Sequence, residues 1–123
     1  MRKILIVEDN EINMKLIRAV LKAKGFILVE ARDGEEALKS VVSERPDIIL
    51  MDIQIPKVDG LEVTRRIRDM DDLRDRPIIA LTAHAMEGDR EKILEAGCDG
   101  YIAKPINTRT FIDEIESILS RKR

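Results

Sequence analysis

Five polar residues whose side chains can do chemistry stand directly after short apolar runs of the chain; they are Glu8, Asp9, Asp52, Thr82 and Lys104. Three carboxylates in one crevice would repel each other and raise each other's pKa unless a cation neutralised them. An all-oxygen site with several carboxylates suits Mg²⁺ completed by water. A Thr hydroxyl and a Lys ammonium at the same place would offer a hydrogen bond and a positive charge to an anion. These residue types therefore indicate a magnesium and phosphate site, provided that the fold brings them together.

The apolar runs that precede these residues have the length and composition of β-strands. Most are β-branched or bounded by charged or turn-forming residues, which is typical of buried strands. The predicted strands are Ile4–Val7, Ile27–Val29, Ile48–Met51, Ile78–Leu81 and Tyr101–Ala103.

Segments with helical spacing of apolar residues lie between the strands. The repeating positions are Leu16/Val20 with Ile17/Leu21, Ala37/Val41 with Leu38/Val42, and Phe111/Ile115 with Ile112 and Leu119. Gly25 is predicted to close the first helix, Asp33–Glu36 to open the second, and Asn107 to cap the last. The third and fourth helices are predicted near Gly60–Met70 and Gly88–Ala96.

The alternation of strands and helices predicts crossover connections, and therefore a parallel sheet with helices on both faces. The fold class is α/β, a flavodoxin-like three-layer arrangement of five βα units. If the strand order is 2-1-3-4-5, it reverses between the first and third strands, and ligands of such sheets bind at that point beyond the carboxyl ends of the strands. This order would place Glu8 and Asp9 beside Asp52.

Length and composition restrict the classes of function. The chain of 123 residues fits one domain, 1–123, and its 44% of hydrophobic residues can form a core. A formal net charge of -2 and few aromatic residues argue against direct binding of nucleic acid. The single cysteine, Cys98, excludes an internal disulfide, and we expect it to be a small packed residue. Since no signal peptide or membrane span is predicted, we expect a soluble cytoplasmic protein.

Four groups of motifs that together span nearly the whole chain resemble the receiver domain of bacterial two-component response regulators, the CheY-like family with strand order 2-1-3-4-5. They are Ile4–Asn10, Met51–Pro56 with Asp59-Gly60, Leu81–Ala83, and Lys104-Pro105. Each motif alone is weak, but their order and spacing together are specific. The resemblance implies a single-domain phosphoacceptor signalling module that takes up and loses a phosphoryl group and is not a turnover enzyme.

The resemblance assigns the chemistry to individual residues. Asp52 is implied to be the phosphoacceptor, which attacks a phosphohistidine on a sensor histidine kinase or a histidine phosphotransferase. Asp9, Asp52 and the backbone carbonyl of Gln54 are implied to hold Mg²⁺, which clamps the transferring phosphoryl oxygens. Glu8 is implied to act through a metal-bound water.

The resemblance also implies how the signal leaves the site. Thr82 and Lys104 would bind phosphoryl oxygens, and Tyr101 would turn inward when Thr82 moves. Lys104-Pro105 would be a cis peptide. The surface that changes would be formed by the fourth helix, fifth strand and fifth helix, and would contact a downstream protein target. The residues expected on it are Arg90, Ile93, Tyr101 and Ile106.

Several alternatives remain at this point. Asp9 could cap the first helix, and His84 could either tune the lifetime of the phosphate or be a solvated loop residue. A phosphohydrolase of the haloacid-dehalogenase type also uses a strand-end Asp with Mg²⁺, but it needs a second Asp where this chain has Gln54. A flavodoxin-type flavin carrier would need a hydroxyl- and Gly-rich phosphate loop where Glu8 and Asp9 stand. Acids in that loop would repel the phosphate.

Overall fold

The computed structural model describes residues 2–83 and 87–121, and His84 lies outside them. In these residues the chain alternates strands and helices without interruption. The elements are β1 (Lys3–Val7), α1 (Glu11–Ala23), β2 (Ile27–Ala31), α2 (Gly34–Glu44), β3 (Ile48–Asp52), α3 (Gly60–Arg68), β4 (Ile78–Thr82), α4 (Glu87–Ala96), β5 (Gly100–Ala103) and α5 (Phe111–Arg121). The α/β class is therefore confirmed.

All five strands form one parallel sheet in the order β2-β1-β3-β4-β5. Ile4 of β1 pairs with Leu28 of β2 on one side and with Ile48 of β3 on the other. The strand order therefore reverses between β1 and β3, as the sequence predicts. This reversal leaves a crevice at the carboxyl ends of these two strands.

The sheet is covered on both faces, and its apolar strands are buried accordingly. β3 and β4 are buried at every residue, and β1 is buried from Ile4 to Val7. One core contains side chains of α1 and α5, including Ile17 and Phe111. The other contains side chains of α2, α3 and α4, including Val41 and Ile67. The helices thus form the two outer layers of a three-layer domain.

The helix ends follow local hydrogen bonds. α1 is capped by Asn10, whose side chain accepts from the amide of Asn13 at 3.0 Å, and Gly25 follows its end with a φ of 84°. The cap of α2 is Asp33, as expected. α3 ends at Arg68, two residues earlier than predicted, because Asp69 is its C-cap.

Three of the sequence predictions about these helices need correction. The side chain of Asn107 accepts from the amide of Arg109 at 3.0 Å in the turn before α5, and α5 starts at Phe111, three residues later than a cap at Asn107 predicts. Leu16 and Val42 were expected on the buried faces of α1 and α2, but they are 36% and 58% exposed. In each helix the two apolar pairs are offset by one residue, so their four side chains spread over too wide an arc of the helix for all of them to face the sheet.

A single arginine ties several segments together at the edge of the sheet opposite the crevice. Arg68 donates from Nε to the carbonyl of Gly97 at 2.9 Å and from Nη1 to those of Arg74 and Arg76 at 2.6 and 2.7 Å. Its Nη2 lies 3.0 Å from Asp99 Oδ2, which also accepts from the amide of Ile78. The end of α3 is thereby joined to the starts of β4 and β5.

Within the part of the chain that the structure describes, no helix has the length and apolar character needed to cross a membrane.

Candidate functional site

The predicted site residues lie at the carboxyl edge of the sheet because each ends or follows a strand. Glu8 follows β1, Asp52 is the last residue of β3, and Lys104 follows β5. Thr82 ends β4 and pairs with Ala103 of β5, the residue before Lys104. The fold therefore brings together residues from the whole length of the chain.

Three acidic residues meet at the reversal between β1 and β3. Glu8, Asp9 and Asp52 each offer a carboxylate oxygen, and these oxygens lie within 4.8 Å of one another. Glu8 and Asp52 are 1% and 4% exposed, whereas Asp9 is exposed. The cap of α1 is Asn10, so the interpretation of Asp9 as a helix cap is wrong.

Asp52 is held on both of its oxygens. Oδ2 accepts from Lys104 Nζ at 2.9 Å, and Oδ1 accepts from the amide of Gln54 at 3.0 Å. Two hydrogen bonds, one of them from an ammonium group, orient a carboxylate that is almost entirely removed from solvent. The orientation of Asp52 is thus set before any ligand arrives.

Glu8 is the least solvated acid of the group. Its Oε2 accepts from the amide of Asn10 at 3.1 Å, and its Oε1 lies 2.8 Å from Lys104 Nζ as an ion pair. Burial and the nearby Asp52 raise the pKa of Glu8 to about 7, although Lys104 opposes the shift. Burial also disfavours the charge on Lys104, but the hydrogen bonds to Glu8 and Asp52 outweigh it and raise the pKa of Lys104.

The donor set of this crevice fits a hard divalent cation. Oε1 of Glu8 is buried, and the ammonium group of Lys104 lies 2.8 Å from it. Carboxylate oxygens from three residues converge around it, and one ammonium group cannot neutralise them all. Oxygen ligands with excess negative charge suit Mg²⁺. The chemistry of the residues present is therefore compatible with magnesium.

Thr82 and Tyr101 lie on the neighbouring strands. Thr82 is buried at the end of β4, and Tyr101 on β5 is half-buried. The guanidinium carbon of Arg90 lies 5.6 Å from the centre of the Tyr101 ring, a cation–π contact. The peptide bond between Lys104 and Pro105 is cis, the geometry that the resemblance implies.

The surface around Tyr101 differs in one residue from the sequence prediction. Ile93 is buried in the core beneath α4 and therefore does not lie on this surface. Tyr101 instead lines a groove of about 350 Å³ together with residues of α5 and the turn before it. These residues are Thr110, Asp113, Glu114, Ser117, Ile118 and Arg121.

The remaining candidate, Cys98, is a packed residue as predicted. Its sulfur lies 3.7 Å from Thr64 Oγ1, and burial raises the pKa of the thiol to about 11. A thiol with so high a pKa is protonated near neutral pH and is a poor nucleophile.

The fold and the site together define a class of signalling domain. The fold is a parallel five-stranded sheet, and the site consists of three acids at its topological switch point, two of them paired with Lys104. Residues 4–116 match the response regulator receiver domain family, and the chain belongs to that family. It is a receiver domain of two-component signalling. The haloacid-dehalogenase and flavodoxin-type alternatives have no support from this result.

Relatives and solved structures agree with this assignment. The chain is 52% identical over 118 residues to the polar-differentiation response regulator DivK of Brucella anthropi, covering 96% of both chains. The receiver domain of the sensor histidine kinase PA1611 from Pseudomonas aeruginosa is 43% identical, with a TM-score of 0.85 over 98% of this chain and 95% of that one. Its structure has a magnesium ion coordinated in the active-site cleft. The chemotaxis response regulator CheY4 of Vibrio cholerae is 26% identical, with a TM-score of 0.91 over 96% of this chain and 98% of that one.

Proposed function

We propose that residues 1–123 form one receiver domain that accepts a phosphoryl group on Asp52 from a phosphohistidine. The observation that supports this most is the buried carboxylate of Asp52, which is paired with Lys104 and has two further acids within 4.8 Å. The donor is a sensor histidine kinase or a histidine phosphotransferase. Membership of the receiver family supports this class of partner.

The transfer needs a nucleophile and groups that hold the phosphoryl oxygens. An oxygen of Asp52 attacks the phosphorus, the phosphorus–nitrogen bond breaks, and its electron pair returns to the imidazole of the donor. The product on Asp52 is an acyl phosphate. Lys104, already 2.9 Å from Asp52, supplies a positive charge to the oxygens that arrive, and Thr82 supplies a hydroxyl.

Magnesium completes this site. Asp9, Asp52 and the backbone carbonyl of Gln54 would hold the ion, and Glu8 would act through a water. When bound, Mg²⁺ neutralises charge on the transferring phosphoryl oxygens. The magnesium ion in the cleft of the PA1611 receiver domain supports this assignment.

The phosphoacceptor is tested by labelling. Wild type, Asp52→Asn and Asp59→Asn are incubated with acetyl phosphate or a phosphorylated donor, with and without a chelator. Asp59 is exposed and caps α3 nearby, so its variant is a matched control. We expect label on wild type and Asp59→Asn only when Mg²⁺ is present. Persistent labelling of Asp52→Asn would contradict the assignment.

The signal leaves through protein contacts, and Thr82 couples the phosphate to the surface around Tyr101. A phosphoryl group draws Thr82 and Lys104 toward Asp52, which opens space beside Tyr101 and lets the ring turn inward. The surface of α4, β5 and α5 then changes its contact with a downstream protein. Phosphorylation shifts a population of two states that already exchange.

This coupling is tested with beryllofluoride, which mimics the phosphoryl group. Amide NMR shifts of residues 87–107 are compared between wild type and Thr82→Ala. We expect large shifts in wild type and small ones in the variant, although both bind the mimic. Equal shifts in the two proteins would show that Thr82 is not the coupling element.

The domain acts as a signalling module in the cytoplasm and not as a turnover enzyme. Its acyl phosphate forms and hydrolyses on the protein itself, so the output is a conformational state that lasts as long as the phosphoryl group. Membership of the receiver family supports the cytoplasmic location.

A further inference from the structure

The loop of residues 53–59, which follows Asp52, is anchored to the sheet at its first residue and closed by a bond between that residue and the start of α3. The amide of Ile53 donates to the carbonyl of Leu81 at 3.2 Å, and the amide of Gly60 donates to the carbonyl of Ile53 at 3.0 Å. Between these ends, Ile55 is buried in the core. This segment, here called the β3–α3 loop, carries the backbone carbonyl of Gln54.

The middle of the β3–α3 loop rests on the first residue of α2. The amide of Gly34 donates to the carbonyl of Pro56 at 3.1 Å. A Cβ atom on Gly34 would lie 1.9 Å from the carbonyl oxygen of Val58, a backbone atom that cannot rotate away. Gly34 has no positive φ, so the position requires the lack of a side chain and not an unusual backbone conformation.

A second contact joins the same two segments. Lys57, in the loop, has a φ of 71°, which non-glycine residues rarely adopt. Its Nζ lies 3.6 Å from Oδ2 of Asp33, the N-cap of α2, and 3.8 Å from Oε2 of Glu35 in the first turn of α2. The start of α2 thus contacts the loop through a backbone hydrogen bond, a close backbone approach and two ion pairs.

We propose that Gly34 is a positioning residue for the magnesium site, because the start of α2 fixes the β3–α3 loop and so aims the carbonyl of Gln54. This inference rests on the proposed function, in which that carbonyl is a ligand. A ligand that is held in place before the metal arrives loses less freedom on binding. Groups that orient a metal ligand typically change the affinity by about 10-fold or more when they are removed.

The first test compares the Mg²⁺ affinity of Gly34→Ala with that of Gly25→Ala by titration calorimetry. Gly25 has a φ of 84° and open space around its Cβ position, so its variant is strained but meets no neighbour. Both variants should lose stability. We expect Gly34→Ala to bind Mg²⁺ about 10-fold more weakly, and Gly25→Ala to bind it as wild type does. Equal affinities in the two variants would overturn the proposal.

A second measurement uses wild type alone and applies even if Gly34→Ala does not fold. If the contact of Gly34 with the loop favours Mg²⁺ binding, Mg²⁺ must favour that contact to the same degree. Hydrogen exchange of the Gly34 amide should therefore slow more with Mg²⁺ than exchange of the Ala37 amide, which bonds Asp33 within α2. Equal slowing of both amides, or none at Gly34, would contradict the role of Gly34.

Asp9→Asn distinguishes a failure of the proposed magnesium ligands from a failure of the positioning role of Gly34. If wild type binds Mg²⁺ and Asp9→Asn does not, the metal site stands, and the affinity of Gly34→Ala decides the positioning role by itself. If Asp9→Asn binds Mg²⁺ as tightly as wild type, the proposed ligands are wrong, and the inference about Gly34 fails with them.

Discussion

Lys104 Nζ lies 2.9 Å from Asp52 Oδ2, although the two residues come from different strands and are 52 positions apart in the chain. The same ammonium group is 2.8 Å from Glu8 Oε1. Lys104 is therefore the counter-ion of both buried acids, and its removal would leave them facing each other in a poorly solvated crevice.

Lys104→Met should accordingly destabilise the metal-free protein. Removing one partner of a buried ion pair leaves an uncompensated charge, so we expect a loss of about 3 kcal/mol in the free energy of unfolding. Urea unfolding near pH 8 with a chelator measures it, and saturating Mg²⁺ should reduce the loss. Lys39→Met, at an exposed position of α2, should change stability by less than about 0.5 kcal/mol. Equal effects of the two substitutions would mean that Lys104 is not a counter-ion.

The free energy of unfolding of the metal-free protein should fall as the pH rises, because of Glu8. Folding raises the pKa of Glu8 from 4.5 to about 7, so its contribution is complete below pH 4.5 and is lost as the pH passes through 7. The total loss is up to about 3 kcal/mol. Glu8→Gln should remove this slope, whereas Glu116→Gln, at an exposed position of α5, should keep it. Unfolding curves between pH 5 and pH 8 measure the slope of the free energy of unfolding against pH. If Glu8→Gln kept that slope, another group would be responsible for it.

Magnesium should raise the melting temperature, and Asp9 should be responsible for part of that rise. A ligand at about 100 times its Kd adds about 2.7 kcal/mol to the free energy of unfolding. Asp9→Asn should raise the metal-free midpoint by relieving repulsion and should reduce the response to Mg²⁺. Asn10→Ala removes the cap of α1 and costs about 1 kcal/mol, so it should lower both midpoints alike. Thermal melts at low ionic strength measure both midpoints. If Asp9→Asn lowered the two midpoints alike, as Asn10→Ala should, Asp9 would not be a magnesium ligand.

Arg68 should contribute more to stability than Arg65, a more exposed arginine of the same helix. Arg68→Met would leave the carbonyls of Gly97, Arg74 and Arg76 without these donors, and we expect a loss of about 3 kcal/mol. Arg65→Met removes an exposed ion pair with Glu62 at 3.5 Å and should cost less than about 0.5 kcal/mol. Urea unfolding compares the two variants, and similar losses would show that the hydrogen bonds of Arg68 add little.

The sheet and the placement of the site residues could be predicted because both depend on local patterns. Short apolar runs indicate strands, and a polar residue at the end of a parallel strand must lie at the carboxyl edge of the sheet. Glu8 and Asp52 were therefore expected to meet, and they do.

Contacts between distant segments left no such local pattern. The residues around Gly34 indicate the start of a helix. They do not indicate its close approach to Val58, which depends on how two loops lie against each other. The hydrogen bonds of Arg68 to three carbonyls are equally invisible in sequence, because backbone acceptors are the same in every residue. Ile93 was expected at the surface and is buried, since the short helix α4 has too weak an amphipathic pattern to indicate which side faces the sheet.

The shared ammonium group of Lys104 also decides which ions the crevice can accept. Three carboxylates against one ammonium leave two negative charges when all four groups are ionised. A monovalent cation would cancel half of this excess, whereas a divalent cation brings the crevice to electroneutrality. Sodium and potassium would therefore have to bind in pairs to achieve what one magnesium ion does. By this charge balance Lys104 would favour a divalent ion over a monovalent one without being a ligand of it.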